Sequence, residues 1–177
     1  LAATAGVTYN GSTYGSGTRA KLLTTTTATG SPDDGVVNIF VSNVTLSGFD
    51  VDADEKSAGG IYIGYGAGGD ISGITVDNCV VHDIGGDEAT PTEYYYGILV
   101  GQHLQHKVSN VTIQNTTVYN TGHEGISIYP SRGIVGDPPS GNWIDTVLVR
   151  NCIVHDTAHW GGTTWGHGID VGLHTDN

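Results

Sequence analysis

A strand-turn-strand phrase that recurs four times constrains the fold of this chain more than any other feature. The four copies span residues 44–51, 74–81, 111–118 and 147–154. A loop of variable length follows each copy and leads to a short apolar segment, which begins at Gly60, Gly97, Gly125 and Gly168. A unit of this kind contains no helical pattern and cannot bury its apolar face alone, so successive units must stack on one another.

Within a copy, apolar and polar residues alternate. In the second copy Ile74 and Val76 would face one way and Thr75 and Asp77 the other, the period of a strand with one buried face. One repeat position interrupts the alternation, and it is occupied by Gly48, Asn78, Asn115 and Asn151. Glycine and asparagine tolerate left-handed backbone angles, so this position predicts a turn. Units of strand, turn, strand, loop and strand, stacked in parallel, predict an all-β parallel β-helix.

The phrases at Asn110–Asn120 and Gly125–Ile128 carry a resemblance to a known family. The repeats over residues 41–177 resemble those of right-handed parallel β-helix proteins, the pectate-lyase-like superfamily. The resemblance implies a right-handed solenoid of about five coils. That superfamily contains lyases, glycosidases, epimerases, phage tailspikes, adhesins and structural surface proteins, so the function has to be inferred from the site and not from the fold.

A single domain is predicted for residues 1–177. Residues 1–40 are interpreted as a degenerate first coil and residues 41–177 as four clear repeats. No capping helix precedes the first coil, and both ends of the solenoid are expected to be uncapped, with long loops at the corners. A solenoid needs polar caps to stay soluble, so we expect the chain to belong to a longer protein or to an assembly that stacks end to end.

Charge and hydropathy exclude some partners. The chain has six basic and eighteen acidic residues, which give a net charge of -12. This charge argues against nucleic acid or an anionic membrane surface as partner. No segment is apolar enough to cross a membrane. Neutral sugars, cations and basic partners remain open.

The sequence contains four sites for N-linked glycosylation, at Asn10, Asn43, Asn110 and Asn115. The alternative is structural, because Asn43 and Asn110 begin the repeat phrase and Asn115 belongs to the turn column. The family resemblance, and not a signal sequence, leads us to expect an extracellular or cell-surface protein.

The second strands of the coils bring three candidate catalytic residues into one outward column, namely His82, Tyr119 and His155. Successive members would lie about 4.8 Å apart, one strand spacing. Asp83 and Asp156 would flank them. Imidazole and phenol suit proton transfer in sugar lyase or epimerase chemistry. The alternative is a solvated ladder of polar side chains at the end of a strand.

The corner loops supply candidate sugar-binding residues, which are Tyr94, Tyr95, Tyr96, Trp160, Trp165 and, on the following strand, Asp170. Exposed aromatic faces stack on sugar rings and carboxylates accept hydrogen bonds from sugar hydroxyls. Asp170 could also pair with Asp156 or Glu124 in a glycosidase. The alternative is that the tyrosine and tryptophan rings fold over the sheet or pack against another subunit.

Asp50, Asp52 and Asp54 alternate in the sequence, and all three would project from the same face if the strand continues as far as Asp54. Oxygen ligands of this kind suit Ca²⁺, so they are a candidate calcium site; plain surface acidity is the alternative. No cofactor is otherwise required.

Two functional hypotheses follow. The first is an extracellular module that binds, and in one version also processes, a polysaccharide or cell-surface glycan. Whether it is an enzyme stays open; a polysaccharide lyase, an epimerase and a glycoside hydrolase are the alternatives. The lyases that the chain resembles use a Lys or Arg base, which is missing beside this column. The second hypothesis is an adhesin stalk or filament subunit that stacks through the open ends of its β-helix.

Overall fold

The computed structural model describes the parts of the chain that carry the repeats. These are residues 3–11, 19–23, 35–55, 59–65, 67–85, 95–102, 106–130, 144–157 and 166–171. All the regular secondary structure in these residues consists of β-strands, which are numbered β1 to β15 in chain order. No helix in these residues is long and apolar enough to cross a membrane.

The strands form three parallel sheets of five, and each coil contributes one strand to every sheet. The first sheet contains β1 (Thr8–Asn10), β4 (Val44–Ser47), β7 (Ile71–Asp77), β10 (Val108–Gln114) and β13 (Ile144–Arg150). The second contains β2 (Ala20–Leu23), β5 (Phe49–Asp52), β8 (Val80–Ile84), β11 (Thr117–Thr121) and β14 (Ile153–Thr157). The third contains β3 (Gly35–Ile39), β6 (Gly59–Ile63), β9 (Ile98–Gln102), β12 (Ile126–Pro130) and β15 (Ile169–Val171). The predicted parallel β-helix of about five coils is confirmed.

The core is a set of aliphatic columns that run along the axis of the solenoid. Ile74 pairs with Val111, and Val81 with Val118; all four side chains are at most 1% exposed. The third sheet contributes a column through Ile61, Ile98 and Ile126, each fully buried. Stacked aliphatic side chains exclude water on every side within the middle coils, and this burial is the main source of stability.

Left-handed backbone conformations form the corners, as predicted for the turn column. Gly48, Asn78, Asn115 and Asn151 have φ values of 75°, 52°, 51° and 52°. The Asn side chains also bond along the stack: Nδ2 of Asn115 donates to Oδ1 of Asp77 at 2.8 Å. Nδ2 of Asn110, which has a φ of 52°, likewise donates to Oγ of Ser72 at 2.9 Å. The Nδ2 atoms of Asn110 and Asn115, which glycosylation would modify, therefore already take part in the stacking.

A glycine precedes the apolar strand of the third sheet because the chain is tightly packed there. A Cβ added to Gly97 would lie 2.4 Å from Cγ1 of Val118 and 2.6 Å from the carbonyl oxygen of Gly125. The equivalent atom on Gly60 would meet the carbonyl oxygen of Gly97 at 2.4 Å. The Gly-Ile pairs that begin at Gly60, Gly97 and Gly125 thus mark a corner where only a hydrogen atom fits, whereas a Cβ on Gly168 would have its nearest neighbour at 3.8 Å.

The fifth coil is less well covered than the coils beneath it. Ile169 and Val171 occupy inward positions of β15 and are 49% and 59% exposed, whereas Ile126, the neighbour of Ile169 on β12, is fully buried. Among the described residues, β13, β14 and β15 each pair on one side only. A further layer of strands would cover these side chains.

We expect the substitution Gly97→Ala to lower the free energy of unfolding by about 1–3 kcal/mol, because the added methyl group meets a backbone oxygen that cannot move aside. Urea denaturation measures this change. Gly68→Ala is the matched control, since a Cβ there has no atom within 4 Å, and it should change stability by less than about 0.5 kcal/mol. Equal effects of the two substitutions would contradict the packing argument.

Candidate functional site

The outer side of the second sheet carries a ladder of stacked rings. Strand pairing sets His82 of β8 beside Tyr119 of β11, and Tyr119 beside His155 of β14. The centroids of His82 and Tyr119 are 4.9 Å apart with the planes 1° from parallel, and those of Tyr119 and His155 are 5.2 Å apart at 3°. The three candidate catalytic residues of the sequence are therefore brought together, and we call them the ring ladder.

A carboxylate accompanies each imidazole because the residue after it has left-handed backbone angles. Successive residues of a regular strand point to opposite faces. Asp83 and Asp156 instead have φ values of 54° and 50°, and each lies on the same side as the histidine before it. Nδ1 of His82 lies 2.9 Å from Oδ2 of Asp83, and Nδ1 of His155 lies 2.8 Å from Oδ2 of Asp156.

Two carboxylates hold His82 from both sides. Its Nε2 lies 2.8 Å from Oδ1 of Asp50, opposite the contact of Nδ1 with Asp83. Burial by itself would lower the pKa of His82, but the hydrogen bonds to Asp83 and Asp50 outweigh it, and the pKa is raised. With both ring nitrogens donating, His82 is suited to be an imidazolium that anchors the ladder, and it is a poor proton acceptor.

The carboxyl group of Asp83 is also held in its charged form. Burial would raise its pKa, but hydrogen bonds from Asn120 and His82 outweigh this effect, and the pKa is lowered. The amide Nδ2 of Asn120, which follows Tyr119 in the same left-handed column, donates to Oδ1 of Asp83 at 2.6 Å. Asp83 therefore bridges two coils.

Tyr119 remains a neutral phenol over a wide pH range. Partial burial raises its pKa, and the negative charges of Asp83, Asp50 and Asp52 raise it further. A phenol whose pKa is raised donates a hydrogen bond but does not act as a base near neutral pH.

His155 differs from His82 in its surroundings. Its side chain is 49% exposed and has one carboxylate partner, Asp156. When Nδ1 carries the proton that it shares with Asp156, Nε2 carries the lone pair of a neutral imidazole. Of the three rings, His155 is therefore the one with the arrangement of a general base.

Two of the predicted calcium ligands, Asp50 and Asp52, have other partners, and the third, Asp54, does not continue their strand: β5 ends at Asp52, and Asp54 lies in a turn with a φ of 51°. Asp52 is paired with the ammonium group of Lys21, and its Oδ1 accepts the backbone N–H of Asp54 at 2.7 Å. Asp50 bonds to His82, as described above. The pKa of Lys21 is raised, chiefly by its hydrogen bond with Asp52.

A different set of three residues is the only potential metal-binding group within the described residues. It consists of Asp52, His82 and Asp83, whose ligand atoms lie within 4.8 Å of one another. Two of its members are already bonded to Asp50 or Lys21, so an ion would have to displace these contacts. The residues do not fit a preformed calcium site, because a lysine already neutralises Asp52; calcium binding stays a prediction.

The predicted sugar-binding aromatics are only partly within the described residues. Tyr94, Trp160 and Trp165 lie outside them. Tyr95 and Tyr96 are 5% and 9% exposed, so neither presents an open ring face to a sugar, and the expectation of exposed rings is wrong for these two. Their rings pack edge-on against His123, with centroids 6.0 Å away, which is the alternative of rings folded over the sheet. Asp170 lies on β15, half-buried and in register with Ser127.

Sequence reasoning missed two contacts at this site. Lys21 comes from the degenerate first coil, and its pairing with Asp52 depends on the register of β2 against β5, which sets Lys21 opposite Asp50. The bond from Asp50 to His82 joins diagonal positions of neighbouring strands, since Asp50 itself pairs with Val80. An alignment of the first coil to the repeat would have revealed the first contact.

Comparison with known proteins gives one match. Residues 6–176 match the family model described as the right-handed β-helix region. No curated protein and no solved structure matches the chain.

The raised pKa of His82 predicts how the substitution His82→Gln depends on pH. A histidine with a raised pKa in the folded state stabilises the fold fully below its unfolded pKa of about 6.5, and this contribution is lost as the pH rises through the folded-state value. The loss of stability caused by His82→Gln should therefore be larger at about pH 5.5 than at about pH 8.5. Urea denaturation at both pH values measures the difference.

The substitution Asp50→Asn tests the cause of this pH dependence. It removes one of the two carboxylates on His82, so the pKa of His82, followed by NMR titration, should fall. A loss of stability in His82→Gln that is the same at both pH values, or an unchanged His82 titration in Asp50→Asn, would contradict the assignment of Asp50 and Asp83 as the groups that raise the pKa of His82.

Proposed function

This chain belongs to the right-handed β-helix family, and from that premise we propose that it is an extracellular or cell-surface module that binds a polysaccharide along its second sheet. The ring ladder is the single observation that carries this proposal. It is a straight row of similar polar groups with spacings of 4.9 and 5.2 Å, set by the repeat of the coils. A polymer of repeating sugars presents hydroxyl groups at regular intervals, and a regular row of donors and acceptors is suited to bind it.

The chemistry of the row supports a hydroxyl-rich ligand. The ring faces stack on one another, so a sugar would meet the polar edges: the phenol of Tyr119, the imidazole of His155 and the carboxylate of Asp156. The Asp156 side chain is 71% exposed and accepts hydrogen bonds. The net charge of -12 disfavours polyanions but not neutral or cationic glycans.

A processing activity would use His155 as the base. Asp156 orients its imidazole, and the neighbouring phenol of Tyr119 would donate a hydrogen bond to the sugar or protonate a leaving oxygen. His82 would take no part in proton transfer, because Asp50 and Asp83 occupy both of its nitrogens.

We expect the double variant Tyr119→Phe, His155→Ala to lose at least about tenfold in affinity for the oligosaccharide that the wild type binds best on a glycan array, because two hydrogen bonds of about 1 kcal/mol each are removed. Isothermal titration calorimetry measures the affinity. Thr112→Ala, on the first sheet, is the control and should bind as the wild type does. An array on which no glycan binds, or equal binding by wild type and double variant, would contradict the proposal.

Stacking into filaments is a second candidate function, and the exposure of the fifth coil favours it. Ile169 and Val171 would be buried if the first coil of a second copy continued the three sheets.

If stacking is the function, light scattering over a dilution series should show particles larger than a monomer, and Ile169→Asp should reduce them to monomers by placing a charge in the contact. Leu148→Asp is the matched control, because Leu148 is 47% exposed but lies on the outer side of the first sheet. A wild-type protein that stays monomeric at all concentrations would rule the stacking function out.

A further inference from the structure

Glu124 is a buried carboxylate without a hydrogen bond from any described residue. It lies in the short corner 122–125 between β11 and β12 and is 5% exposed. Its Oε2 is buried and unpartnered. Among the described residues, Nδ1 of His123 lies 3.7 Å from Oε2, within the range of an ion pair but beyond hydrogen-bond distance. Burial of a carboxylate oxygen that accepts no hydrogen bond costs several kcal/mol, so a hydrogen-bond donor is expected from outside the described residues.

The β-helix itself does not require an acid at this position. Backbone hydrogen bonds from Gly60 to Tyr96, from Gly97 to Glu124 and from Gly125 to His167 place these residues in one column of the stack. The column contains Gly59, Tyr96, Glu124 and His167. Since glycine, tyrosine and histidine occupy the equivalent corners, the stacking of the coils does not depend on a carboxylate in this column.

The surroundings of Glu124 suit an organic cation. Tyr96 lies one coil below it in the column, and the edges of Tyr95 and Tyr96 meet the ring of His123. A primary ammonium group pairs with a buried carboxylate and is also attracted by nearby aromatic rings. The net charge of -12 would attract such a ligand to the surface.

One column on the outer side of the third sheet changes from apolar to polar at the same coil, although Tyr129 of that coil packs against the cluster of Tyr62, Tyr96 and Leu99. A Cβ on Gly59 would lie 2.1 Å from the ring of Tyr62, so positions 59 and 62 share one side of the sheet. In the fourth coil these positions are Glu124 and Ser127. Asp170 follows Ser127 on the next strand and adds a second carboxylate beside the column. Tyr62 and Leu99 fill the equivalent places in the second and third coils.

We propose that this corner binds the primary ammonium group of an amino sugar within a glycan, with Glu124 as its counter-ion. The inference rests on the proposed polysaccharide binding and names the class of sugar. A transition metal is less well supported, because Glu124 and His123 supply only two ligands and the described residues contain no group of three around them.

The test compares a glucosamine oligomer with the N-acetylglucosamine oligomer of the same length, at a pH where the free amines are protonated. Wild-type protein should bind the glucosamine oligomer at least about tenfold more tightly by calorimetry. Glu124→Gln keeps the shape and removes the charge, so it should bind the two oligomers equally. Glu55→Gln, the same change at an exposed glutamate, should keep the preference for the amine.

Three results would overturn the inference: no preference for the amine in the wild type, a preference that survives in Glu124→Gln, or binding of butylamine through Glu124 without binding of the glucosamine oligomer. The wild-type comparison decides the matter even if the variant misfolds. Neutral glycan binding that depends on His155, without an amine preference, would remove this inference and leave the proposed function standing. A complete absence of glycan binding would remove both.

Discussion

Hydrogen-bonded stacking of parallel strands at one spacing determines where every other feature of this molecule lies. Because each coil repeats the register of the one below, equivalent positions become columns: aliphatic in the core, left-handed at the corners and polar on the outside. Side chains that are far apart in sequence become neighbours with no further arrangement. His82, Tyr119 and His155 form a ladder for this reason, and the parallel planes of their rings follow from equal backbone geometry on successive strands.

Electrostatics then gives chemically similar groups different roles. His82 and His155 occupy the same repeat position and each has an aspartate after it, yet Asp50 reaches only His82. His82 therefore meets a carboxylate at each ring nitrogen, whereas His155 meets one carboxylate, at Nδ1. Lys21, on the first coil, pairs with Asp52 and so offsets one of the negative charges near the ladder. Partial burial, together with the carboxylates, raises the pKa of Tyr119, so the ladder combines a fixed charge, a hydrogen-bond donor and a candidate base.

The sequence was sufficient to predict the fold because its pattern is local and repeated. Alternation identified the strands, and the column through Asn78 and Asn115 identified a turn that the φ values bear out. The register of His82 with Tyr119 followed from the same alignment. Contacts that depend on the direction of side chains could not be predicted from the sequence. Asp50 and Asp52 share β5, but Asp54 lies in the turn beyond it. Asp50 meets His82, whereas Asp52 meets Lys21 from another coil and the backbone N–H of Asp54.

Aromatic residues gave the least reliable predictions. Tyr95 and Tyr96 stand in a sequence that reads as an exposed corner, but their burial depends on what packs around the corner, which no periodicity encodes. Glu124 is a second residue whose surroundings could not be predicted from the sequence pattern. It occupies a position that holds glycine, tyrosine or histidine in the other coils, and it is notable because its buried Oε2 accepts no hydrogen bond from the described residues.

The bonds between neighbouring coils also determine how the chain can assemble itself. Those that join Asn115 to Asp77, Asn120 to Asp83 and Arg150 to Gln114 connect residues 38, 37 and 36 apart. Closing a loop of one coil carries the same entropic cost wherever it occurs along the chain. A coil can therefore dock onto the preceding coil as soon as it has left the ribosome. The solenoid can thus grow during translation, from its N-terminal coil to its C-terminal coil.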